Sequence, residues 1–270
     1  MPKVQLTGKK ATLLATLYGR ALDAQSPSPV LGDTMAAEAV GKIDFDFSTT
    51  GLRRGDDVAV ALRARQLDGW AREFLTTHPT ATVLHLGAGL DTRVYRLDPG
   101  PGVRWFDVDY PDVTDLRRQL YPSRPGYELI GSSVTDHAWL AHVPGDRPVL
   151  VVAEGLVMYL QEDEGKDLFQ RVVDHFPSGQ FVFDALSRRG IRLQRFNKAI
   201  QAAGATVSWG IDSCADLEAV HPRLRCVTAL SAVDLDGFEK LTAGAWAMVK
   251  LAKVFPAIRR LAVFYRLDFG

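Results

Sequence analysis

The chain has no surplus charge of either sign, with 32 lysines and arginines against 32 aspartates and glutamates in 270 residues. A protein that grips a nucleic-acid backbone needs a basic surplus, and a solvating tail needs an acidic one. Neither class fits, and no nucleic-acid partner is expected. Cysteine is scarce. Cys214 and Cys226 form neither a C-x-x-C pair nor a disulfide framework, so two reduced thiols in a cytoplasmic protein are expected. Long apolar runs are missing as well. The longest, residues 149–160, is interrupted by Glu154 and is too short to cross a bilayer. Early lysines are present, but Tyr18 and Arg20 break any apolar leader segment. No integral membrane association follows from this. Internal repeats and low-complexity stretches are absent too, and no metal site is expected. What remains is a globular composition, 47% hydrophobic and 24% charged. It suits one large α/β domain or two small ones.

Along the chain, residues 1–80 read as helical. Apolar residues recur at helical spacing over 11–22 and 58–75, with a further short helix at 33–40. The run Ser26-Pro27-Ser28-Pro29 marks a loop between them. From Thr82 the pattern changes to short β-rich runs at 82–86, 103–108, 127–130, 148–153 and 180–186. Helical segments at 113–120, 138–141 and 162–176 fall between most of them. Strands alternating with helices predict a mostly parallel sheet flanked by helices. The fourth run is apolar without alternation, as a central strand buried on both faces should be. Beyond Leu186 the alternation breaks. The pattern predicts an inserted basic helix at 187–203, closing strands at 206–209 and 224–230, and a final helical stretch at 244–268. The predicted fold class is α/β and Rossmann-like. A single domain is expected: a helical cap over 1–80, a core over 81–186, and an insertion, closing strands and last helix over 187–270.

Chemistry is carried by the strand ends. Gly87-Ala88-Gly89 follows the first strand, where glycines let the backbone approach a ligand closely. A dinucleotide fingerprint needs a third glycine, and that position is Thr92. Asp91 inside the loop would repel a pyrophosphate but suits a ligand with an ammonium or sulfonium group. The second strand ends Asp107-Val108-Asp109, placing both acids on one face. Asp109 lies twenty residues after Gly89, the offset expected of an acid that grips a ribose diol. Its alternative is a solvated turn acid. Glu154 follows five apolar residues at the end of the fourth strand. It would either accept a hydrogen bond from a ligand amine or sit in a structural salt bridge. Together these features favour a cationic, ribose-bearing ligand without a pyrophosphate, and S-adenosylmethionine has those groups.

Three runs carry a family resemblance: Val83-Leu-His-Leu-Gly-Ala-Gly-Leu-Asp-Thr-Arg93, Trp105-Phe-Asp-Val-Asp-Tyr-Pro111 and Ala153-Glu-Gly-Leu-Val-Met-Tyr-Leu160. They resemble the leucine carboxyl methyltransferase family, and within it the bacterial tetracenomycin-type polyketide O-methyltransferases. The likeness continues through Tyr18-Gly-Arg-Ala-Leu22, Ala61-Leu-Arg-Ala-Arg65 and Trp209-Gly-Ile-Asp212, so it spans roughly residues 5–230. It implies a class I methyltransferase fold and S-adenosylmethionine as cofactor. It implies that Gly87, Ala88 and Gly89 line the methionine part of the cofactor and that Asp109, in preference to Asp107, holds the ribose. Glu154 would meet the α-amino group or the pocket edge. Arg63 would meet the methionine carboxylate, with Arg20 a weaker candidate. Near the adenine the family's phosphatase-modifying branch has Asp-Leu where this chain has Ser133-Val134, leaving Ser133 or Asp136 to bond the adenine amine.

The resemblance implies O-methylation of a small, acidic, natural-product acceptor, chiefly at a carboxyl group. A carboxylate is ionised at neutral pH and needs no general base, whereas a phenol benefits from one. The alternatives are a phenolic hydroxyl, a protein C-terminal carboxyl, a non-catalytic cofactor-binding scaffold and a nicotinamide oxidoreductase. No base is assigned: His85 reads as a core histidine, and His137, His175 and His221 have no partner that spacing identifies. Met158 and Tyr159 would wall the acceptor pocket or join the core, and Trp209 would shape its far side. Arg188, Arg189, Arg192 and Arg195 would steer an anionic acceptor or form a solvated face. Lys250, Lys253, Arg259, Arg260 and Arg266 suit either a membrane surface or a packed amphipathic helix kinked at Pro256.

Overall fold

A computed structural model describes residues 11–52, 56–194, 206–241 and 243–270. Three helices come first, α1 (Ala11–Ala24), α2 (Thr34–Lys42) and α3 (Asp56–Thr77). Then follow β1 (Thr82–Leu86), α4 (Arg93–Leu97), β2 (Arg104–Asp109), α5 (Pro111–Leu120), β3 (Tyr127–Gly131), β4 (Val149–Ala153), α6 (Glu162–His175) and β5 (Gly179–Leu186). The last third holds α7 (Arg188–Gln194), α8 (Cys214–Glu218), β6 (Arg225–Ser231), α9 (Ala243–Val254), α10 (Pro256–Arg259) and β7 (Ala262–Phe269). Short 3-10 turns lie at Phe47–Thr50, Ala138–His142, Val157–Tyr159, Ala232–Asp234 and Phe238–Lys240.

The strands form one seven-stranded sheet in the order β3-β2-β1-β4-β5-β7-β6. β1 to β5 pair in parallel, and β7 runs antiparallel to both β5 and β6. Every residue of β1 and β4 is buried, as expected of central strands covered on both faces. β6, at the edge, alternates exposed and half-buried residues instead. One core layer joins α6 and the far face of the sheet through Leu168, Phe169, Val172 and Phe181. The other joins α3 to the near face through Leu62, Leu67, Trp70 and Val152. The order reverses between β1 and β4, which opens a crevice at their carboxyl ends, the place where open α/β sheets bind ligands.

Several expectations change. The stretch 244–268 is not helical throughout: Pro256 starts a one-turn helix, and residues 262–269 are the strand β7. Phe264, Tyr265, Leu267 and Phe269 are buried there, so packing against the sheet overrides local pattern. Residues 206–209 are an irregular segment held by hydrogen bonds from Ser208 N–H to Met158 O and from Ile211 N–H to Leu186 O. The expected basic helix from 187 is described as α7, and its remainder, including Arg195, lies outside the described residues. Cys214 and Cys226 are not free thiols. Packing of α8 against β6 brings their Cα atoms to 5.5 Å, and they form a disulfide. No described helix is long and apolar enough to cross a membrane.

Candidate active site

The glycine loop leaves β1 at Gly87 and turns through two left-handed positions, Gly87 at φ +61° and Gly89 at φ +51°. Any other residue is strained there. The space is taken as well: a Cβ on Gly87 would come 3.0 Å from the Leu156 side chain, and one on Gly89 would come 2.7 Å from Leu13. The loop is pinned from below. Arg117, fully buried, donates to the carbonyls of Gly89 and Asp91 at 2.8 Å each. Tyr121 donates to Leu90 O at 2.8 Å. Asp109, at the end of β2, accepts from Gly89 N–H at 2.7 Å through one oxygen and from Tyr110 N–H at 2.8 Å through the other. Burial raises its pKa, against the pull of those two amides. Each oxygen keeps lone-pair capacity for a further donor.

Two cavities flank the loop. One, of about 220 Å³, is lined by Asp109, Tyr110, Ser133, Val134 and Thr135. The other, of about 410 Å³, is lined by Arg20, Arg63, His85, Ala88, Gly89, Asp91, Glu154, Met158 and Asp184. Its outer wall is apolar, built from Val207, Ala232, Leu235, Phe238 and Phe264. Thr12, Leu13, Gly87, Gly155 and Tyr159 border both. The cavities therefore meet where β1 and β4 end.

Most of the predicted residues are thus brought together: Arg63, Gly87, Ala88, Gly89, Asp109, Ser133, Val134, Glu154, Met158 and Tyr159. Trp209 is not among them. It is buried in the core, and a Cβ on Gly165 would lie 2.1 Å from its ring. The expectation that it shapes the pocket is corrected, because this glycine on α6 makes the notch that its indole fills. Ser133 Oγ, 2.8 Å from Thr135 Oγ1, borders the smaller cavity. Asp136 instead caps the following turn by accepting from Ala138 N–H, exposed to solvent. Arg188 is tied to Asp212 at 3.0 Å and Asp216 at 3.6 Å rather than aimed at the cavity.

The acids of the larger cavity are neutralised by arginines. Burial opposes ionisation of Asp91, yet the facing Arg20, Arg93 and Arg96 hold its carboxyl well below the usual range. The Arg96 contact is 2.7 Å. Asp91 is therefore already paired, which corrects its reading as a free partner for a cationic ligand. Glu154 accepts from Arg63 Nε at 2.9 Å and from Arg93 Nη2 at 2.5 Å. Burial raises its pKa, but the two arginines outweigh this and lower it. So Glu154 is in a salt bridge and also borders the cavity. His85 donates from Nδ1 to Asp107 at 3.0 Å, because its Nε2 faces Arg93 Nη1 at 3.1 Å and a guanidinium can only donate. Both ring nitrogens are engaged, as the core reading of this histidine expects. Asp107 is wholly buried and also pairs with Arg117. His137 pairs with Asp167 at the surface, His175 bonds Val143 O, and His221 meets Asp174.

Sequence reasoning missed Asp184, near the end of β5. It accepts from Gly155 N–H at 2.6 Å and lies 3.8 Å from Arg63. Burial raises its pKa despite that arginine. The signal was present: an apolar strand that ends in an acid, as in Ala153-Glu154. The cover that α1 provides through Thr12, Leu13 and Thr16 left no such trace.

A glycine turn with both faces filled, a buried acid at the end of β2 and a seven-stranded sheet with one reversed strand define a class I S-adenosylmethionine-dependent methyltransferase. The sequence model described as leucine carboxyl methyltransferase matches residues 13–123. The chain is 48% identical to the tetracenomycin polyketide synthesis O-methyltransferase TcmP of Streptomyces glaucescens, over 86% of each chain. It is 41% identical to the S-adenosyl-L-methionine-dependent methyltransferase dpfgK of Gibberella zeae, over 83% of this chain and 82% of that one. The fold is similar to that of the N-methyltransferase NodS from Bradyrhizobium japonicum in complex with S-adenosyl-L-homocysteine. That match has a TM-score of 0.50 and 12% identity, and it covers 88% of this chain and 97% of that chain. The chain belongs to the leucine carboxyl methyltransferase family, on the side of its tetracenomycin-type O-methyltransferases.

Proposed function

We propose that this methyltransferase acts on oxygen of a small, polyketide-like natural product, first of all at a carboxyl group. The observation that carries the reading is the meeting of the two cavities at Gly87 and Gly155, one bordered by Asp109 and the other by an apolar wall. In this reading Gly87, Ala88 and Gly89 cradle the methionine part of the cofactor, Asp109 accepts from the ribose hydroxyls, and Ser133 and Val134 border the adenine. Arg63 takes the methionine carboxylate. Arg20 lines the same cavity, held by Asp33 at 3.7 Å and Asp91 at 3.6 Å. Glu154 fixes Arg63. Bound S-adenosylmethionine supplies a methyl group on a sulfonium, which is already a good leaving group. Transfer forms an O–C bond and breaks a C–S bond, so the protein has to align the acceptor and exclude water. Met158, Tyr159, Leu235, Phe238 and Phe264 do that by apolar contact. The single-domain organisation belongs to this reading, with β7 in place of the expected last helix.

An ionised acceptor agrees with a cavity whose histidine and whose Glu154 are already engaged. Asp184 favours a second reading, a phenolic acceptor, since a buried carboxylate with a raised pKa can take a hydroxyl proton. A cytoplasmic location belongs to the proposal too, and the Cys214–Cys226 disulfide stands against it, since such bonds are kept reduced there. The first test is calorimetric titration with S-adenosylhomocysteine, and a folded protein that does not bind it would end the proposal. Once an acceptor is known, a rate nearly flat between about pH 6 and 8 supports a carboxylate, and a rate that falls toward acid supports a phenol.

A further inference from the structure

Of the nine large apolar side chains exposed among the described residues, six lie within thirteen residues: Trp246, Met248, Leu251, Val254, Phe255 and Ile258. Met248, Leu251 and Val254 follow one another at helical spacing of three, so they share one face, and Phe255 follows directly at the helix end. That face turns outward. The opposite side, with Ala245, Val249 and Ala252 half-buried, is the one that rests on the protein. An apolar stripe of this kind on a soluble protein marks a surface that something covers.

Charge says what covers it. Residues 241–260 contain Lys250, Lys253, Arg259 and Arg260 and no acid, while Arg266, on β7, pairs with Glu73 at 2.6 Å. Lys250 lies 3.3 Å from the centre of the Trp246 ring. Asp234, from the neighbouring turn, meets Lys253 at 3.9 Å and Arg259 at 2.5 Å, and it offsets only part of the charge. A two-fold contact with a second copy would set this basic flank against itself with only Asp234, already paired, to answer it. A bilayer with anionic headgroups answers both features: the apolar stripe enters the headgroup boundary, and long basic side chains reach the phosphates.

We propose that the outward face of residues 246–260 is a peripheral docking surface for an anionic lipid bilayer. The helix packs against the turns Ala232–Asp234 and Phe238–Lys240, and those turns supply Ala232 and Phe238 to the apolar cavity wall. Docking therefore holds that wall beside the membrane. The inference stands on surface chemistry and does not depend on which acceptor is methylated.

The experiment is flotation of the full chain with vesicles of pure phosphatidylcholine and with vesicles of equal parts phosphatidylcholine and phosphatidylglycerol. Binding to the mixed vesicles alone is expected, weakened by added salt. The pair Lys250→Gln with Lys253→Gln should lower the partition coefficient roughly 30-fold, at about fivefold per charge. The pair Leu251→Glu with Val254→Glu should abolish binding. Both variants should keep wild-type affinity for S-adenosylhomocysteine, which shows that they fold. Absence of flotation by the folded wild type overturns the proposal. So does equal binding to both vesicle types with no effect of the lysine pair. A concentration-dependent dimer that Leu251→Glu with Val254→Glu dissolves assigns the face to a second copy, and equally overturns it.

Discussion

Replacing Asp109 by alanine removes two functions at once, and the structure allows them to be separated. The carboxylate holds the glycine loop through Gly89 N–H and the start of α5 through Tyr110 N–H. In the proposed site it also accepts from the ribose hydroxyls. Hydrogen bonds to a charged partner contribute about 1.5–3 kcal/mol each, net of the exchange with water. Burial has already stripped much of its water from Asp109, as its raised pKa records. A net loss of about 1–3 kcal/mol in cofactor affinity is therefore expected for Asp109→Ala, or roughly 5- to 150-fold in Kd. Asp109→Asn keeps one carbonyl oxygen for Gly89 N–H and should lose about half as much. Isothermal titration with S-adenosylhomocysteine reads the affinities, and circular dichroism shows that each variant is folded. The raised pKa fixes the sign of the pH dependence: affinity should fall as pH drops through the folded value, which lies above the ordinary 3.8. A folded Asp109→Ala protein with unchanged affinity would refute the ribose assignment.

Arg93→Met strips Asp68, Asp91 and Glu154 of a shared partner. It should cost roughly 3–5 kcal/mol in urea unfolding, because the carboxylates left behind stay buried. A loss under about 1 kcal/mol would mean that the site is wetter than its burial implies. Asp184→Asn keeps an acceptor for Gly155 N–H and should stabilise the protein relative to wild type. Because the folded pKa is raised, wild type loses stability as pH climbs from the unfolded value to the folded one, so the advantage of the variant should grow over that window. An advantage that shrinks with rising pH would refute this. Trp209→Ala should cost about 3–5 kcal/mol for its cavity while leaving S-adenosylhomocysteine affinity within about twofold. A large affinity loss in a folded variant would return Trp209 to the site.

The cofactor half of the proposed site was legible because it is built from short, local signals. Gly87, Gly89, Asp109 and Glu154 sit at strand ends, and strand ends can be read from an apolar run and what stops it. The alternation of strands and helices between Thr82 and Leu186 gave the parallel half of the sheet for the same reason. What escaped lies on long-range contacts. Trp209 looks like a pocket residue beside Gly210, and only the fold reveals the notch that Gly165 opens for it. β7 follows a proline and a basic stretch, so its strand character comes from the partners β5 and β6 on either side. Cys214 and Cys226 become neighbours only once α8 folds against β6. The apolar wall of the larger cavity is assembled from segments that share no motif, Val207, Leu235 and Phe264 among them.

The balanced charge of the chain takes on a meaning in the fold that the count alone lacked. Beneath and beside the glycine loop, Asp33, Asp68, Asp91, Asp107, Glu154 and Asp184 interlock with Arg20, Arg63, Arg93, Arg96 and Arg117. Such a network is weak evidence for stability, since desolvating the charges offsets much of their attraction. Its geometry serves position instead. Arg93 reaches Asp68 on α3, Asp91 in the loop and Glu154 after β4, so one side chain ties the cap, the loop and the neighbouring strand end together. Six carboxylates face five guanidiniums. The network is thus one negative charge in excess, with Asp109 a further one at the edge. In the proposed site, a cofactor whose sulfonium and ammonium outweigh its carboxylate by one charge would meet that excess, whereas a pyrophosphate would add to it.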